Sequence, residues 1–111
     1  MEFVLTEHKD FDLLEITGRI DSYTAPKINK ILQSIISDGH SNIIVDLKNV
    51  KYISSSGILV FVNSQKLLIK QKRGKILFTG TPDLIYSAFS LAGFHNLFEF
   101  FTNITSAVGS F

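Results

Sequence analysis

The chain of 111 residues contains no cysteine. That excludes a disulfide framework, a thiolate metal site and a thiol nucleophile. It also lacks an excess of charge of either sign, with eleven basic residues against ten acidic ones, so nucleic-acid binding by bulk electrostatics is not expected. No apolar run reaches the length of a membrane span. Met1-Glu2-Phe3-Val4-Leu5-Thr6-Glu7-His8 lacks the basic start and long apolar stretch of a signal peptide. The expectation is a soluble, cytoplasmic protein without membrane insertion; the alternative is a cytoplasmic domain of a larger membrane protein. Linkers, low-complexity tracts and internal repeats are absent too. The length predicts one domain over residues 1–111, large enough to bury a core without disulfides or metals.

What is present is an alternation of strand-like and helix-like segments. Phe3 to Glu7 and Asp12 to Asp21 read as two strands joined by the turn His8-Lys9-Asp10-Phe11. Gly18 interrupts the second and marks a bulge or a close backbone approach. Thr24-Ala25-Pro26 reads as the cap and first turn of a helix whose stripe is Ile28, Ile31, Leu32, Ile35 and Ile36, ended by Gly39. Asn42 to Leu47 reads as a strand buried on both faces. A second helix follows Ser54-Ser55-Ser56-Gly57, carries lysines at its far end and stops at Gly74. Lys75 to Thr79 is a strand. Thr81-Pro82-Asp83 reads as cap, N1 proline and acidic first turn of a third helix. Leu97 to Phe101 reads as a last strand, and Thr102 as the cap of a short helix through Val108. This order predicts an α/β domain with a mixed sheet of four to five strands and about four helices.

The serine triplet sits where a strand feeds a helix, and a helix start presents free backbone N–H groups that favour negative charge. The plainer reading is a capping segment, since serine is a favoured N-cap. Three serines exceed what one cap needs. The functional reading is reversible phosphorylation: a phosphate adds nearly two negative charges there without unfolding the domain, and presents a dianion where a partner accepted a hydroxyl.

Asp46-Leu47-Lys48-Asn49-Val50-Lys51-Tyr52-Ile53-Ser54-Ser55-Ser56-Gly57-Ile58 resembles the signature of the bacterial anti-sigma factor antagonists, the STAS domains: Asp-Leu, a few residues, a hydrophobic pair, then Asp-Ser-Ser/Thr-Gly-Leu. Gly18-Arg19-Ile20-Asp21, the Lys72-Arg73-Gly74-Lys75 turn and the Phe89-to-Phe94 stretch fit the same family in the same order, so the resemblance covers nearly the whole chain. It implies a STAS domain, not an enzyme, with no cofactor. It implies that the unphosphorylated form binds an anti-sigma factor serine kinase and frees a sigma factor, and that a PP2C-type phosphatase reverses the modification. By position the phosphoacceptor is Ser55, with Ser54, Ser56, Gly57 and Asp21 as partner-binding residues. The chain departs from the pattern at Ser54, where the family has aspartate, which leaves Ser54 and Ser56 as alternative acceptors. For Asp21 the other reading is a turn or cap residue. For Asp46 a strand-end carboxylate is preferred to a site role.

Serine hydrolase chemistry is disfavoured because Ile53 stands where a nucleophile elbow needs glycine, and His8, His40 and His95 read as exposed loop residues. No phosphate loop, dinucleotide fingerprint or metal-ligand spacing occurs. The Lys66-to-Lys75 cluster reads as a solvated helix end. Phe94, Leu97, Phe98, Phe100 and Phe101 read as core packing. The alternative to the phosphoswitch is a non-phosphorylated STAS scaffold or transport-accessory module.

Overall fold

The computed structural model describes residues 1–111. Strands β1 (Glu2–Glu7) and β2 (Asp12–Ile20) form a hairpin, and α1 (Ala25–Ser37), β3 (Asn42–Ile53), α2 (Ser55–Gln71), β4 (Lys75–Thr79) and α3 (Asp83–Leu91) follow. A 3-10 turn (His95–Leu97), β5 (Glu99–Phe101) and α4 (Ile104–Val108) complete the chain. The five strands lie in the order β1-β2-β3-β4-β5. β1 is antiparallel to β2, and every other neighbouring pair is parallel. This is the mixed α/β sheet the alternation predicted.

The alternation of side chains across a strand decides what each face buries. Leu14, Ile16 and Ile20 of β2, with Ile43, Val45 and Leu47 of β3, face one side. There they meet Ile28, Leu32 and Ile35 of α1, Phe61, Val62 and Leu68 of α2, and Ile85 and Phe89 of α3. The other face holds a small cluster of Leu13, Ile44, Leu77 and Ala107, covered by α4. The phenylalanine-rich end packs inward: Phe78 lies 4.8 Å from Phe98, 5.2 Å from Phe89 and 5.4 Å from Phe100, ring centre to ring centre. Phe94 and Leu97 pack against the same core.

β3 runs to Ile53, six residues beyond the expected Leu47. Its pairing with β2 slips twice, between Glu15 and Thr17 and between Gly18 and Arg19, where β3 carries an extra residue each time. Each extra residue reverses which face the next side chains meet, so Val50 and Ile53 still reach the core although the simple alternation is lost. Gly18, at φ 100°, sits at the second slip.

Three helix starts differ from expectation. Thr24 has helical dihedrals and makes no side-chain cap; Asp21 does that work upstream. Pro82 is extended and is itself the N-cap, its carbonyl accepting from Tyr86 N–H at 2.9 Å, so Asp83 rather than proline opens the helix. Asn103, not Thr102, caps α4, its Oδ1 accepting from Ser106 N–H at 2.9 Å. The last strand is also shorter than expected, because His95–Leu97 winds into a 3-10 turn. α2 ends before Gly74: Lys72 takes the left-handed conformation at φ 53°. A side chain at Gly74 would instead strike the Ser41 carbonyl.

Candidate functional site

Ser54 N–H donates to Ile20 C=O at 2.8 Å, which holds the end of β3 against the end of β2. The chain then turns into α2. Ser54 is the N-cap, with extended dihedrals, and its Oγ accepts from Gly57 N–H at 3.2 Å. Its hydroxyl also lies 2.9 Å from Ser56 Oγ. Two of the three hydroxyls are therefore engaged with each other and with the helix start. Ser55, the first residue of α2, is exposed and its hydroxyl has no protein partner. The N–H groups of Ser55 and Ser56 lie in the first turn, where no preceding helical carbonyl exists to accept them. An anion on Ser55 would meet both the helix dipole and these donors.

Gly57 is buried, with Ile20 Cγ2 only 2.6 Å from where a Cβ would stand. It offers no surface to a partner. It lets the first turn of α2 seat against the end of β2, and so sets where Ser55 points.

Asp21 follows β2 directly. Its Oδ1 accepts from Tyr23 N–H at 3.0 Å and Thr24 N–H at 3.1 Å, and Thr24 Oγ1 accepts in return from Asp21 N–H at 2.9 Å. This reciprocal pair is a capping box. The Thr24 N–H bond, with that of Tyr23, the Thr24 hydroxyl and the Arg19 charge, holds the Asp21 carboxyl below its ordinary value of 3.8, against a smaller opposing effect of desolvation. The turn reading of Asp21 is thus correct, and because β2 and β3 end side by side it also lies beside the serine junction.

Between the starts of α1 and α2 runs an open groove flanked by Ser22, Pro26, Ser56 and Leu59. Leu59, one turn beyond Ser55, is an exposed apolar side chain in its wall, and Tyr23, next in sequence to Ser22, is 89% exposed. Arg19 lies over the Tyr52 ring at 4.3 Å. The site is thus an exposed hydroxyl at a helix start, next to an open groove. It contains no general base and no enclosed cavity.

Asp46 is not at this site. It is 4% exposed within β3, opposite Glu15 and Thr79. Its Oδ1 accepts from Lys48 N–H at 3.0 Å. The placement follows from the longer β3. His40 is an exposed loop residue as expected, with its Nδ1 2.7 Å from the buried Asp12, whereas His95 differs from expectation in being half-buried. Sequence reasoning missed Gln65, which is 4% exposed and donates to Leu97 C=O at 3.1 Å while accepting from Ile76 N–H at 2.7 Å. Its signal was available: Gln65 is a polar residue on the stripe of Phe61, Val62 and Leu68.

A mixed sheet backed by helices, with a surface hydroxyl at a strand-to-helix junction, defines a domain built to present a surface rather than to enclose a substrate. The STAS domain family model matches residues 2–107, and the chain belongs to that family. It is 32% identical over 92 residues to the anti-sigma-B factor antagonist of Staphylococcus aureus, covering 83% of this chain and 84% of that one. The fold matches a crystal structure of an anti-sigma factor antagonist from Thermotoga maritima, with a TM-score of 0.89, 18% identity and coverage of 97% and 92%. It also matches the Bacillus cell fate determinant SpoIIAA in its phosphorylated form, with a TM-score of 0.74, 14% identity and coverage of 98% of each chain. No helix is long and apolar enough to cross a membrane.

Proposed function

We propose that this protein is an anti-sigma factor antagonist whose binding surface is switched by phosphate on Ser55. The observation that carries the reading is the division of labour in the triplet: Ser54 caps α2, Ser56 is tied to Ser54, and Ser55 alone is exposed with a free hydroxyl. The name of the S. aureus relative supports the antagonist role. The partner is an anti-sigma factor serine kinase acting in the cytoplasm, and a PP2C-type phosphatase resets the switch. Ser54, Ser56 and Asp21 shape the docking surface; Gly57 acts from beneath it.

Phosphorylation forms a bond from Ser55 Oγ to the γ-phosphorus of ATP and breaks that phosphorus's bond to the β–γ bridging oxygen, so that ADP leaves and the hydroxyl proton goes to the kinase's base. The product keeps its fold because the added charge sits at the positive end of α2. Docking fails because a partner surface that packed against a neutral hydroxyl must now desolvate a dianion. Aspartate is the family's usual residue at 54; in this chain Ser54 fulfils the cap that such a carboxylate would supply.

The test is incubation with the cognate kinase and ATP, followed by mass spectrometry. A single phosphate on Ser55 is expected, with Ser55→Ala unmodified and constitutively bound, and Ser55→Asp weakly bound. Modification at none of the three serines would sink the switch while leaving antagonist binding open to a pull-down with the kinase.

A further inference from the structure

β1 is an edge strand, paired with β2 on one side and with nothing on the other. In an antiparallel ladder alternate residues turn their N–H and C=O groups outward, so a row of free donors and acceptors runs along its outer side. All six of its residues are exposed, among them Phe3, Leu5 and Val4, the last at 59%. Edge strands are commonly blunted by a lysine, a proline, a bulge or shortness. Glu2–Glu7 contains no lysine, proline or glycine, and its register with β2 is unbroken. The opposite edge, β5, has only three residues and offers no comparable template. Phe3 and Leu5 stand opposite Ile16 and Leu14 on the helix-covered side of the sheet, and Val4 opposite Glu15 on the other side.

We propose that β1 pairs antiparallel with β1 of a second copy about a two-fold axis at Val4, so that one continuous sheet crosses both copies. The register follows from side-chain chemistry. A two-fold axis normal to the sheet keeps each side chain on its own side, so a residue faces only residues an even number of positions from itself. Glu2 and Glu7 are five positions apart and never face one another. With the axis at Val4, Phe3 faces Leu5 of the second copy, Val4 faces Val4, Glu2 faces Thr6 and Glu7 faces Met1. An axis at Phe3 sets Val4 against Glu2, one at Leu5 sets Phe3 against Glu7, and one at Thr6 sets Leu5 against Glu7. Only the Val4 register gives all three apolar side chains apolar partners while opposing no two carboxylates. Charge does not drive the copies apart, since eleven basic against ten acidic residues leave +1 on each. The occupant is a second copy rather than a foreign strand because the edge is complementary to itself.

Sedimentation equilibrium of the full chain, at concentrations up to about 1 mM, should show a reversible dimer. Val4→Lys, at an exposed position, sets two ammonium groups face to face and should weaken the dimer at least about tenfold with an unchanged far-ultraviolet spectrum. The register is read by cross-linking, which the lack of native cysteine makes clean. With a bismaleimide spanning about 8 Å, Val4→Cys should cross-link, because directly opposed Cβ atoms lie about 4.5–5.5 Å apart. Thr6→Cys should not, because its two copies are offset by four positions, about 13 Å along the strand. Equal cross-linking of the two variants overturns the register. Wild-type protein that stays monomeric throughout overturns the pairing, and so does a dimer that Val4→Lys leaves intact, since another face would then hold it. A monomeric chain whose β1 amides gain protection from hydrogen exchange only when the kinase is added would give the edge to the kinase, and equally overturns the proposal.

Discussion

Gly57 and Ile20 touch so closely that a single methyl group on the glycine would fall 2.6 Å from Ile20 Cγ2. Ile53 Cγ1 closes the other side at 3.0 Å. The first turn of α2 is therefore pressed onto the ends of β2 and β3. Gly57→Ala should destabilise by about 1–3 kcal/mol through overpacking. Urea unfolding checks this, and an unchanged midpoint would show that the turn can lift away freely. The same variant should also bind the kinase less well, because lifting the turn moves Ser55.

Ser54 and Ser55 should separate cleanly in stability. Ser54→Ala removes the oxygen that accepts Gly57 N–H and should cost about 1 kcal/mol. Ser55→Ala removes an exposed hydroxyl with no partner and should stay within about 0.5 kcal/mol of the native protein. A larger loss for Ser55 than for Ser54 in parallel denaturant titrations would reverse the division of labour argued above.

Gln65 ties the core of α2 to β4 and the 3-10 turn through Ile76 N–H and Leu97 C=O. Gln65→Leu keeps the volume and strips both bonds. It leaves a buried N–H and a carbonyl without partners, at about 1–3 kcal/mol each. Amide hydrogen exchange should show Ile76 losing protection relative to its strand neighbours. Retained protection would mean that another acceptor takes over.

His40 and Asp21 predict opposite pH dependences. The hydrogen bond to Asp12, reinforced by its charge and those of Glu7 and Asp38, raises His40 above its ordinary 6.5 despite some opposing desolvation. A raised folded value means that the protonated ring is the stabilising form. Its contribution is complete below pH 6.5 and is lost as pH rises through the folded value. Asp21 is lowered below 3.8, so its contribution is complete above that value and is lost as pH falls through the folded one. Both groups are largely solvent-accessible, so each effect is small. His40→Gln should flatten the decline in thermal midpoint as pH rises above 6.5, and Asp21→Asn the decline as pH falls below 3.8. A slope above pH 6.5 unchanged by His40→Gln would remove the His40–Asp12 pair from the account of that decline.

Much of this was legible from the chain. The stripe of Ile28, Leu32 and Ile35 and the uninterrupted Ile43-Ile44-Val45 run each have one physical reading, and both stand as read. The junction at Ser54 was equally plain, because a polar triplet and a glycine between two apolar segments can only be a turn into a helix. The second half of β3 was not legible: two extra residues break its period, and a bulge is set by the neighbouring strand. The cap at Asn103 was missed because Thr102 beside it is an equally good cap by composition, whereas the turn-or-cap reading of Asp21 stands. Which residue caps depends on backbone dihedrals that composition leaves open.

The sequence alone determined the element order, the mixed sheet, the apolar faces and the position of the serine triplet, since periodicity and composition are local properties. Tertiary structure decided which serine faces out. Only the packing of Gly57 on Ile20 and the bonds among Ser54, Ser56 and Gly57 leave Ser55 exposed and free. It also brought Asp12 and His40, 28 positions apart, within 2.7 Å. No local pattern encodes such a pair, because it exists only once the parallel strands β2 and β3 lie side by side.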